Sequence, residues 1–416
     1  MKLTIAIAAL LCLLPTLAKS QTGSDPSDYA TISSDRPDGR FISSYAISRQ
    51  LVKEMRPSCE YRENMNASEF SAWQDSVREG MRRIMKFPTN VEPQPAPAMI
   101  SSEQRDGYTL EKWEFYPLPD AVSTFLVLKP DGMTKPAPAV LCIPGSGQTK
   151  EQLAGEPGIH PSISGNYTDP KVQMAVNMVR QGYIAVAVDN PGAGECGDLE
   201  RYGLAKGYDY ETMSRMLLEV GWNWLGFASY LDQQVLDWMK TQPQIRHDRI
   251  VVSGFSLGTE PMMVLGVLNP DIYAFVYNDF LCNTQERAVV LCKPRAETGR
   301  RPFPNSIRHL IPDYWQYFNF PDVAASLAPR PIIFTEGGMD RDFRKIQSAY
   351  KTAGAPDNVE CHHYPKFQNP ADRNDVEHLD EGMSAQEFFK AANVDPPSHY
   401  FKSELIMPWL QRMIKP

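Results

Sequence analysis

The stretch IVVSGFSLGTEPMMVLGVL, from Ile250 to Leu268, decides the fold of this chain. It opens with a short apolar run typical of a buried strand and ends, after Pro261, with a run typical of a buried helix. Between the two lies Gly254-Phe-Ser-Leu-Gly258, whose small residues allow a sharp strand-to-helix turn. A chance G-x-S-x-G in a loop would lack these neighbours, so we predict that Ser256 occupies a strained turn with its hydroxyl clear of the sheet.

Apolar runs and helical segments alternate on both sides of this turn. The predicted strands are Tyr108–Phe115, Val122–Leu128, Ala139–Ile143, Tyr183–Val188, Arg249–Val252, Asp271–Tyr277, Pro331–Thr335 and Val359–Tyr364. The predicted helices that separate or follow them are Lys171–Gln181, Leu225–Thr241, Leu257–Leu268, Arg341–Ala353 and Phe401–Met413. Most of the strands are nearly continuous apolar runs, as expected for strands that are covered on both faces. The alternation predicts an α/β fold with a mostly parallel sheet and helices on both faces.

The 416 residues are expected to form three parts. Residues 1–20 are predicted to be a signal peptide, residues 21–104 a helical N-terminal extension and residues 105–416 a catalytic domain. No strand pattern occurs in the extension up to about Ser101, but apolar residues recur there at helical spacing: Phe70, Trp73, Val77, Met81 and Ile84. In the catalytic domain, prolines and aromatic residues at about 281–328 interrupt the alternation, which predicts an insertion after the strand that ends near Asp279.

The first residues have the pattern of an export signal. Lys2 precedes an apolar run from Leu3 to Ala18, and Ala18-Lys-Ser20 provides a cleavage site. A membrane anchor is the alternative, but the run is shorter than the roughly 20 apolar residues that span a bilayer. We therefore expect an exported protein, periplasmic or extracellular, with no membrane span after cleavage.

Charge and cysteine content narrow the kinds of partner and site. The formal net charge of −8 provides no basic field for nucleic acid. Export permits disulfides, and Cys282 and Cys292 are the first pair to test because the loop between them is short. No C-x-x-C spacing occurs, so no structural zinc is predicted.

A serine nucleophile needs a base, and the base needs an acid that orients it. For a serine on a strand-to-helix turn, the order along the chain is serine, acid, histidine. Asp340 is the predicted acid because it lies on a glycine-containing turn after the run Pro331–Thr335, at the carboxyl end of the sheet. Asp279, at the end of the preceding strand, is the first alternative, and Glu336 is the second.

Position along the chain favours His399 as the base. Three of the seven histidines precede Asp340 and break the order: His160, His247 and His309. His362 and His363 are adjacent in a predicted strand, so they point to opposite faces and are not expected to reach an acid on a loop. His399 follows two prolines just before the final helix, where the base belongs. His378, in an acidic loop, is the alternative.

Two backbone N–H groups are expected to bind the oxyanion. One belongs to Leu257, directly after the nucleophile, and the other to Ser146, in the loop Ile143-Pro-Gly-Ser-Gly-Gln148. A phosphate-binding loop is the alternative for these glycines, but neither Gly-Lys-Ser/Thr nor G-x-G-x-x-G occurs here. No metal or organic cofactor is required by this chemistry.

These motifs resemble the α/β-hydrolase superfamily and, within it, the secreted bacterial acetyl xylan esterase-like hydrolases. The resemblance runs from about Tyr108 to the C-terminus, together with the helical segment around Trp73-Gln74. The residues that carry it are 143–150, 188–195, 254–258, 336–340 and 393–399. It implies ester cleavage on plant cell-wall polysaccharide, with Ser256 as nucleophile, Asp340 as acid and His399 as base. The chain departs from many relatives in having Pro144-Gly145 where they carry His-Gly.

The sequence therefore predicts an exported serine carboxylic-ester hydrolase that removes acetyl groups from plant cell-wall polysaccharide or oligosaccharide. A serine peptidase on the same fold and a catalytically inactive carbohydrate-binding relative are the alternatives. The acyl group, the sugar and the oligomeric state have no signature in the sequence.

Overall fold

The computed structural model describes residue 34 and residues 36–158, 166–197, 210–302 and 307–414. The predicted signal peptide, at residues 1–20, and His160 lie outside the described residues. Every helix within these ranges is too short or too polar to cross a bilayer.

Nine strands of the described residues form one sheet: β1 (Ala98–Arg105), β2 (Tyr108–Phe115), β3 (Ser123–Pro130), β4 (Ala137–Ile143), β5 (Ile184–Val188), β6 (Ile245–Phe255), β7 (Ala274–Asn278), β8 (Ile332–Phe334) and β9 (Val359–Cys361). The helices in the same residues are α1 (Ser44–Glu54), α2 (Ala67–Met85), α3 (Lys150–Leu153), α4 (Met174–Val179), α5 (Tyr210–Glu219), α6 (Trp224–Met239), α7 (Thr259–Leu268), α8 (Thr284–Val290), α9 (Tyr314–Tyr317), α10 (Phe320–Ala325), α11 (Asp340–Thr352), α12 (Ala385–Ala391) and α13 (Ser403–Met413).

The strands lie in the order β1-β2-β3-β5-β4-β6-β7-β8-β9. The pairs β1–β2, β2–β3 and β3–β5 are antiparallel, whereas all pairs from β5 to β9 along the sheet are parallel. This arrangement is that of an α/β-hydrolase fold and confirms the predicted fold class. It also places the carboxyl ends of β6, β7 and β8 side by side at one edge of the sheet.

Helices cover both faces of the sheet, which explains why its central strands are apolar throughout. Every residue of β4 and β5 is buried. Along β4, Leu141 packs in the core cluster that contains α2, α6 and α7, and its neighbours Val140 and Cys142 pack in the cluster that contains α4 and α13. Adjacent side chains of a strand point to opposite faces, so each face needs its own apolar residues.

The second N-terminal helix, α2, is part of the main core. Helix α2 begins at a capping box in which the Asn66 side chain accepts hydrogen bonds from two backbone N–H groups, and the Glu69 side chain bonds back to the Asn66 N–H. Its buried face includes Trp73 and Val77, which pack in the same cluster as the sheet. The indole of Trp73 donates a hydrogen bond of 2.9 Å to the carbonyl of Cys59.

Strand β1 was not predicted from the sequence. It lies at the edge of the sheet, and most of its side chains are exposed, including Met99 and Ile100. A strand with one neighbour and little burial needs no apolar face, so it lacks the pattern that marks the central strands.

Cys282 and Cys292, the first pair to test for a disulfide, are not joined by one, and both side chains are buried. Helix α8 lies between them in the chain. Its seven residues rise about 10 Å, which exceeds the separation of about 7 Å between Cα atoms that a disulfide can bridge. The short loop inferred from the sequence is therefore a stiff helix.

The segment between β7 and β8, where the sequence predicts an insertion, contains α8, α9 and α10. Its aromatic residues serve mainly as core, because Tyr314, Phe318 and Phe320 are buried together. Residues of this segment, among them Thr284 and Phe320, line a cavity together with Ser256 and Asp279, which directly follow β6 and β7.

Candidate active site

Ser256 lies at the turn between β6 and α7. Its φ is +50°, in the left-handed region that non-glycine residues rarely adopt. The flanking glycines are required by close backbone contacts. A Cβ atom on Gly254 would lie 2.3 Å from the carbonyl oxygen of Gly258, and one on Gly258 would lie 2.3 Å from the carbonyl oxygen of Ile143. The turn therefore holds the serine in a strained conformation of the kind found at reactive sites.

His399 faces the same cavity from the loop before α13. Asn278, the last residue of β7, anchors this loop: its Oδ1 accepts a hydrogen bond of 2.8 Å from the Lys402 N–H, and its Nδ2 donates one of 3.2 Å to the Tyr400 carbonyl. The imidazole stacks on the ring of Phe255, with 4.7 Å between the ring centroids. Since Phe255 directly precedes Ser256, this contact places the histidine beside the serine turn.

The acid that contacts His399 is Glu336. One carboxylate oxygen, Oε2, lies 2.5 Å from His399 Nδ1 and accepts a hydrogen bond of 3.1 Å from the Tyr364 hydroxyl. The other, Oε1, accepts a hydrogen bond of 3.1 Å from the Tyr400 N–H. The Glu336 side chain is fully buried, so these partners hold the carboxylate in one orientation.

The prediction that Asp340 orients His399 is corrected by this geometry. Asp340 begins α11, and its carboxylate contacts His363 Nε2 at 2.9 Å and Arg373 Nη1 at 3.2 Å. Strand β8 ends at Phe334, and Gly337 and Gly338, which have positive φ values, separate Glu336 from Asp340, the first residue of α11.

The argument that His363 could not reach an acid on a loop is also wrong. Strand β9 ends at Cys361, so the alternation of side chains that applies within a strand does not extend to His363. Its imidazole is buried and pairs with Asp340 away from His399. His378, the alternative base, is exposed and does not line the cavity that contains Ser256.

Asp279 provides a second carboxylate next to the imidazole. It directly follows β7, and polar atoms of Asp279, Glu336 and His399 lie within 4.8 Å of one another. Burial raises the pKa of Asp279 to about 7; His399 opposes this shift and the negative charge of Glu336 adds to it. The sequence alternative at this position therefore lies beside the histidine, although Glu336 makes the hydrogen bond.

Two opposing effects act on the pKa of His399. Burial disfavours the charged imidazolium, but the hydrogen bond to Glu336 and the charges of Asp279 and Glu336 outweigh it, so the pKa is raised above 6.5. The imidazolium that forms when a base takes up a proton is thereby stabilised.

Asp279, Glu336 and His399 are also residue types that bind divalent cations. Both oxygens of Glu336 already accept hydrogen bonds, and the ammonium group of Lys402 lies 3.4 Å from Oε1. A cation at this position would meet that ammonium charge. The donor set fits a hydrogen-bonded acid and histidine better than a metal centre.

The loop after β4 lies directly against the serine turn. A Cβ atom on Gly145 would be 2.9 Å from the Phe255 ring and 3.3 Å from Ser256 Cβ. Within the described residues, the Ser146 N–H has no hydrogen-bond partner. Leu257 lies in the first turn of the helix that starts at Ser256, where N–H groups lack partners within the helix. Both predicted oxyanion donors are therefore in positions where an N–H is available.

Side chains from neighbouring elements hold this loop in place. Asn190 Nδ2 donates hydrogen bonds to the carbonyl oxygens of Pro144, at 2.9 Å, and Gly145, at 3.3 Å. Just beyond the loop, the fully buried Lys150 ammonium contacts three carboxylates, at 2.6 to 2.8 Å: Asp189, Glu151 and Glu195. This ion cluster joins the loop after β4 to the loop after β5.

A cavity of about 250 Å³ opens above these residues and is lined by both Ser256 and His399. Within the part of the chain that the structure describes, no hydrogen bond connects the Ser256 hydroxyl to His399. Catalytic hydrogen bonds are often long in ligand-free enzymes and tighten when substrate binds. The cavity contains what nucleophilic catalysis requires: a strained serine, an oriented imidazole and free N–H donors.

Comparisons with known proteins agree with this architecture. A model of the Abhydrolase family matches residues 24–412. The chain is similar to a candidate acetyl xylan esterase from Bacteroides fragilis, a crystal structure: the two are 60% identical, the match covers 93% of this chain and 98% of that one, and the TM-score is 0.90. A methylesterase that is 18% identical, with 75% of this chain and 63% of that chain covered and a TM-score of 0.52, shares the fold alone. A search of curated proteins finds no match.

Proposed function

Since this chain belongs to the Abhydrolase family, we propose that it is a serine carboxylic-ester hydrolase with Ser256 as nucleophile, His399 as general base and Glu336 as the orienting acid. The observation that carries the proposal is the buried Glu336 carboxylate, which holds the imidazole 2.5 Å away in a cavity that also contains the strained serine. An acid, a base and a nucleophile in this order serve acyl transfer on unrelated folds.

The proposed reaction proceeds in two halves. His399 Nε2 takes the proton of Ser256 as its oxygen attacks the ester carbonyl, and the N–H groups of Ser146 and Leu257 stabilise the oxyanion. The imidazolium then gives its proton to the departing alcohol, which leaves an acyl-enzyme. In the second half, His399 deprotonates a water molecule that attacks the acyl group, and the proton returns to Ser256 when the carboxylic acid leaves.

The substrate class that we propose is an acetylated plant cell-wall polysaccharide or oligosaccharide. Its support is the relative that is 60% identical, a candidate acetyl xylan esterase. Export is proposed as well, from the charged and apolar pattern of residues 1–20. An exported enzyme would meet polymers that cannot enter a cell.

Acetate release and covalent labelling test this function together. We expect the protein to release acetate from acetylated xylan or acetylated sugars and to lose activity when an organophosphonate adds to Ser256, as located by mass spectrometry. Aminoacyl arylamides and acetylated pectin complete the substrate panel. Faster cleavage of the arylamides than of every acetyl ester would indicate a peptidase, and absence of labelling would indicate a catalytically inactive relative.

The pH dependence of kcat/KM should report the environment of His399. The base must be neutral, so activity is expected to fall as pH drops through a pKa that lies above 6.5. Asp279→Asn removes a negative charge that stabilises the imidazolium, so the acidic limb of the profile should move to lower pH. Rate profiles from pH 5 to 9 with an activated acetyl ester measure this shift.

Asp357→Asn provides the matched control for this pH profile, because Asp357 is an exposed carboxylate outside the cavity. Its profile should coincide with that of the unmodified protein. If the acidic limb of the kcat/KM profile stays in place in Asp279→Asn, or moves to higher pH, then Asp279 does not raise the pKa of His399.

A further inference from the structure

Two arginines in the wall of the catalytic cavity have no acidic partner among the residues that the structure describes. Arg287, from α8, and Arg308, from the single helical turn at 307–309, line the cavity together with Ser256. Within the described residues, neither forms a salt bridge, and the Nε atom of each is buried without a hydrogen-bond partner. Buried N–H groups of charged side chains are costly when no acceptor is present, so this pair calls for a ligand.

Aromatic contacts support the two guanidinium groups without satisfying their N–H donors. Arg287 lies 5.5 Å from the centre of the Phe388 ring, and Arg308 lies 5.1 Å from that of Tyr210. Such contacts stabilise a cation over a ring face and hold its plane. Arg287 also makes a side-chain hydrogen bond with Cys282, but the Nε donors of both groups have no partner within the described residues. A planar guanidinium fork matches the geometry of a carboxylate.

The carboxylates in and around the cavity contact histidines rather than the two arginines. Glu336 binds His399, Asp279 lies beside the same imidazole, and Glu260 Oε1 is 2.5 Å from His309 Nδ1. The second oxygen of Glu260, Oε2, is buried and has no hydrogen-bond partner in the described residues. The cavity wall therefore contains two arginine Nε donors and one Glu260 carboxylate oxygen that have no hydrogen-bond partner within the described residues.

A sugar acid complements both features, because its carboxylate accepts hydrogen bonds from guanidinium groups and its hydroxyls donate to a carboxylate oxygen. We propose that this cavity recognises the carboxylate of a uronic acid residue through Arg287 and Arg308, so that the preferred ester is carried on or next to an acidic sugar. The statement that the ligand carries an ester rests on the proposed function. The binding of a sugar carboxylate does not depend on turnover.

Binding is measured on the Ser256→Ala protein, in which no turnover can consume the ligand. By titration calorimetry, glucuronate should bind at least about tenfold more tightly than glucose, and Arg287→Gln or Arg308→Gln should weaken glucuronate binding by a similar factor. Equal affinity for glucuronate and glucose would overturn the proposal. Sulfate that binds as tightly as glucuronate would also overturn it, since the site would then be a general anion site.

Kinetics provide the second readout, as the ratio of kcat/KM for an acetylated acidic xylo-oligosaccharide to that for its neutral counterpart. The ratio should exceed one and fall at least about tenfold in Arg287→Gln, with partial recovery in Arg287→Lys, which keeps the charge. Arg344→Gln is the matched control, since Arg344 pairs with Asp375 on the surface. A ratio that is unchanged in Arg287→Gln contradicts the proposal.

The two proposals fail in distinguishable ways. If no ester is cleaved but the Ser256→Ala protein binds glucuronate through the arginines, the proposed function is wrong and the sugar-acid site stands. If neutral and acidic esters are cleaved equally and glucuronate does not bind, the function stands and the sugar-acid site is wrong. Thermal unfolding of each variant shows whether it has folded.

Discussion

Ser256→Ala is expected to lower kcat for an activated acetyl ester by about 10⁶-fold, close to complete loss. The change removes the oxygen that forms the acyl-enzyme, and the remaining N–H donors and imidazole cannot replace a covalent step. Initial rates with p-nitrophenyl acetate measure the loss, and the burst of nitrophenol that reports an acyl-enzyme should disappear with it. Alanine carries the same Cβ as serine, so the strained turn should fold unchanged.

Ser253→Ala is the matched control for this experiment. Ser253 lies three residues earlier on β6, and its hydroxyl is buried without a hydrogen-bond partner in the described residues. Removing this hydroxyl breaks no hydrogen bond and touches no group of the cavity, so activity should be retained. Turnover by Ser256→Ala at more than a few per cent of the normal rate would rule out the serine mechanism.

Glu336→Gln is expected to lower kcat by about 10²- to 10⁴-fold, whereas Asp340→Asn should cost less than about tenfold. Glutamine keeps the size of the side chain but removes the charge that stabilises the imidazolium and fixes its tautomer. Asp340→Asn instead changes a pair formed with His363 and Arg373, outside the contact with His399. The two variants, assayed side by side with the same acetyl ester, separate the acid found in the structure from the one favoured by sequence position.

Thermal unfolding should accompany both assays. Glu336 is fully buried and accepts hydrogen bonds from Tyr364 and Tyr400, so Glu336→Gln is also expected to lower the melting temperature. The loss of kcat is therefore measured well below the melting temperature of the variant. A larger loss in Asp340→Asn than in Glu336→Gln would return the role of the acid to Asp340.

The central strands and the serine turn were predictable because their signals are local. Strand β2 has the predicted bounds, Tyr108–Phe115, and the apolar run before Gly254 is the end of β6. A strand covered on both faces must be apolar along its length. In the turn, backbone carbonyl oxygens lie 2.3 Å from the Cβ positions of Gly254 and Gly258, which excludes larger residues there. Strand β1 was missed for the same physical reason, since an exposed edge requires no apolar pattern.

The choice among carboxylates was not predictable to the same degree. Asp279, Glu336 and Asp340 all follow strands at the carboxyl edge of the sheet, and position along the chain favoured Asp340, which is not the acid that contacts His399. Gly337 and Gly338, which have positive φ values, separate Glu336 from Asp340, and the carbonyl oxygen of Leu281 lies 2.4 Å from a Cβ position on Gly338. The sequence shows the glycines but not the direction of the turn.

By itself, the sequence determined the α/β architecture and the position of the serine turn, because burial on two faces and backbone sterics restrict each residue through its neighbours in the chain. Tertiary structure alone decided which acid meets the imidazole. Glu336 and His399 are 63 residues apart, and their contact of 2.5 Å depends on where β8 ends and on how Asn278 anchors the last loop. A displacement of a few ångströms would pair a different carboxylate with the histidine, and no local pattern encodes a distance of that size.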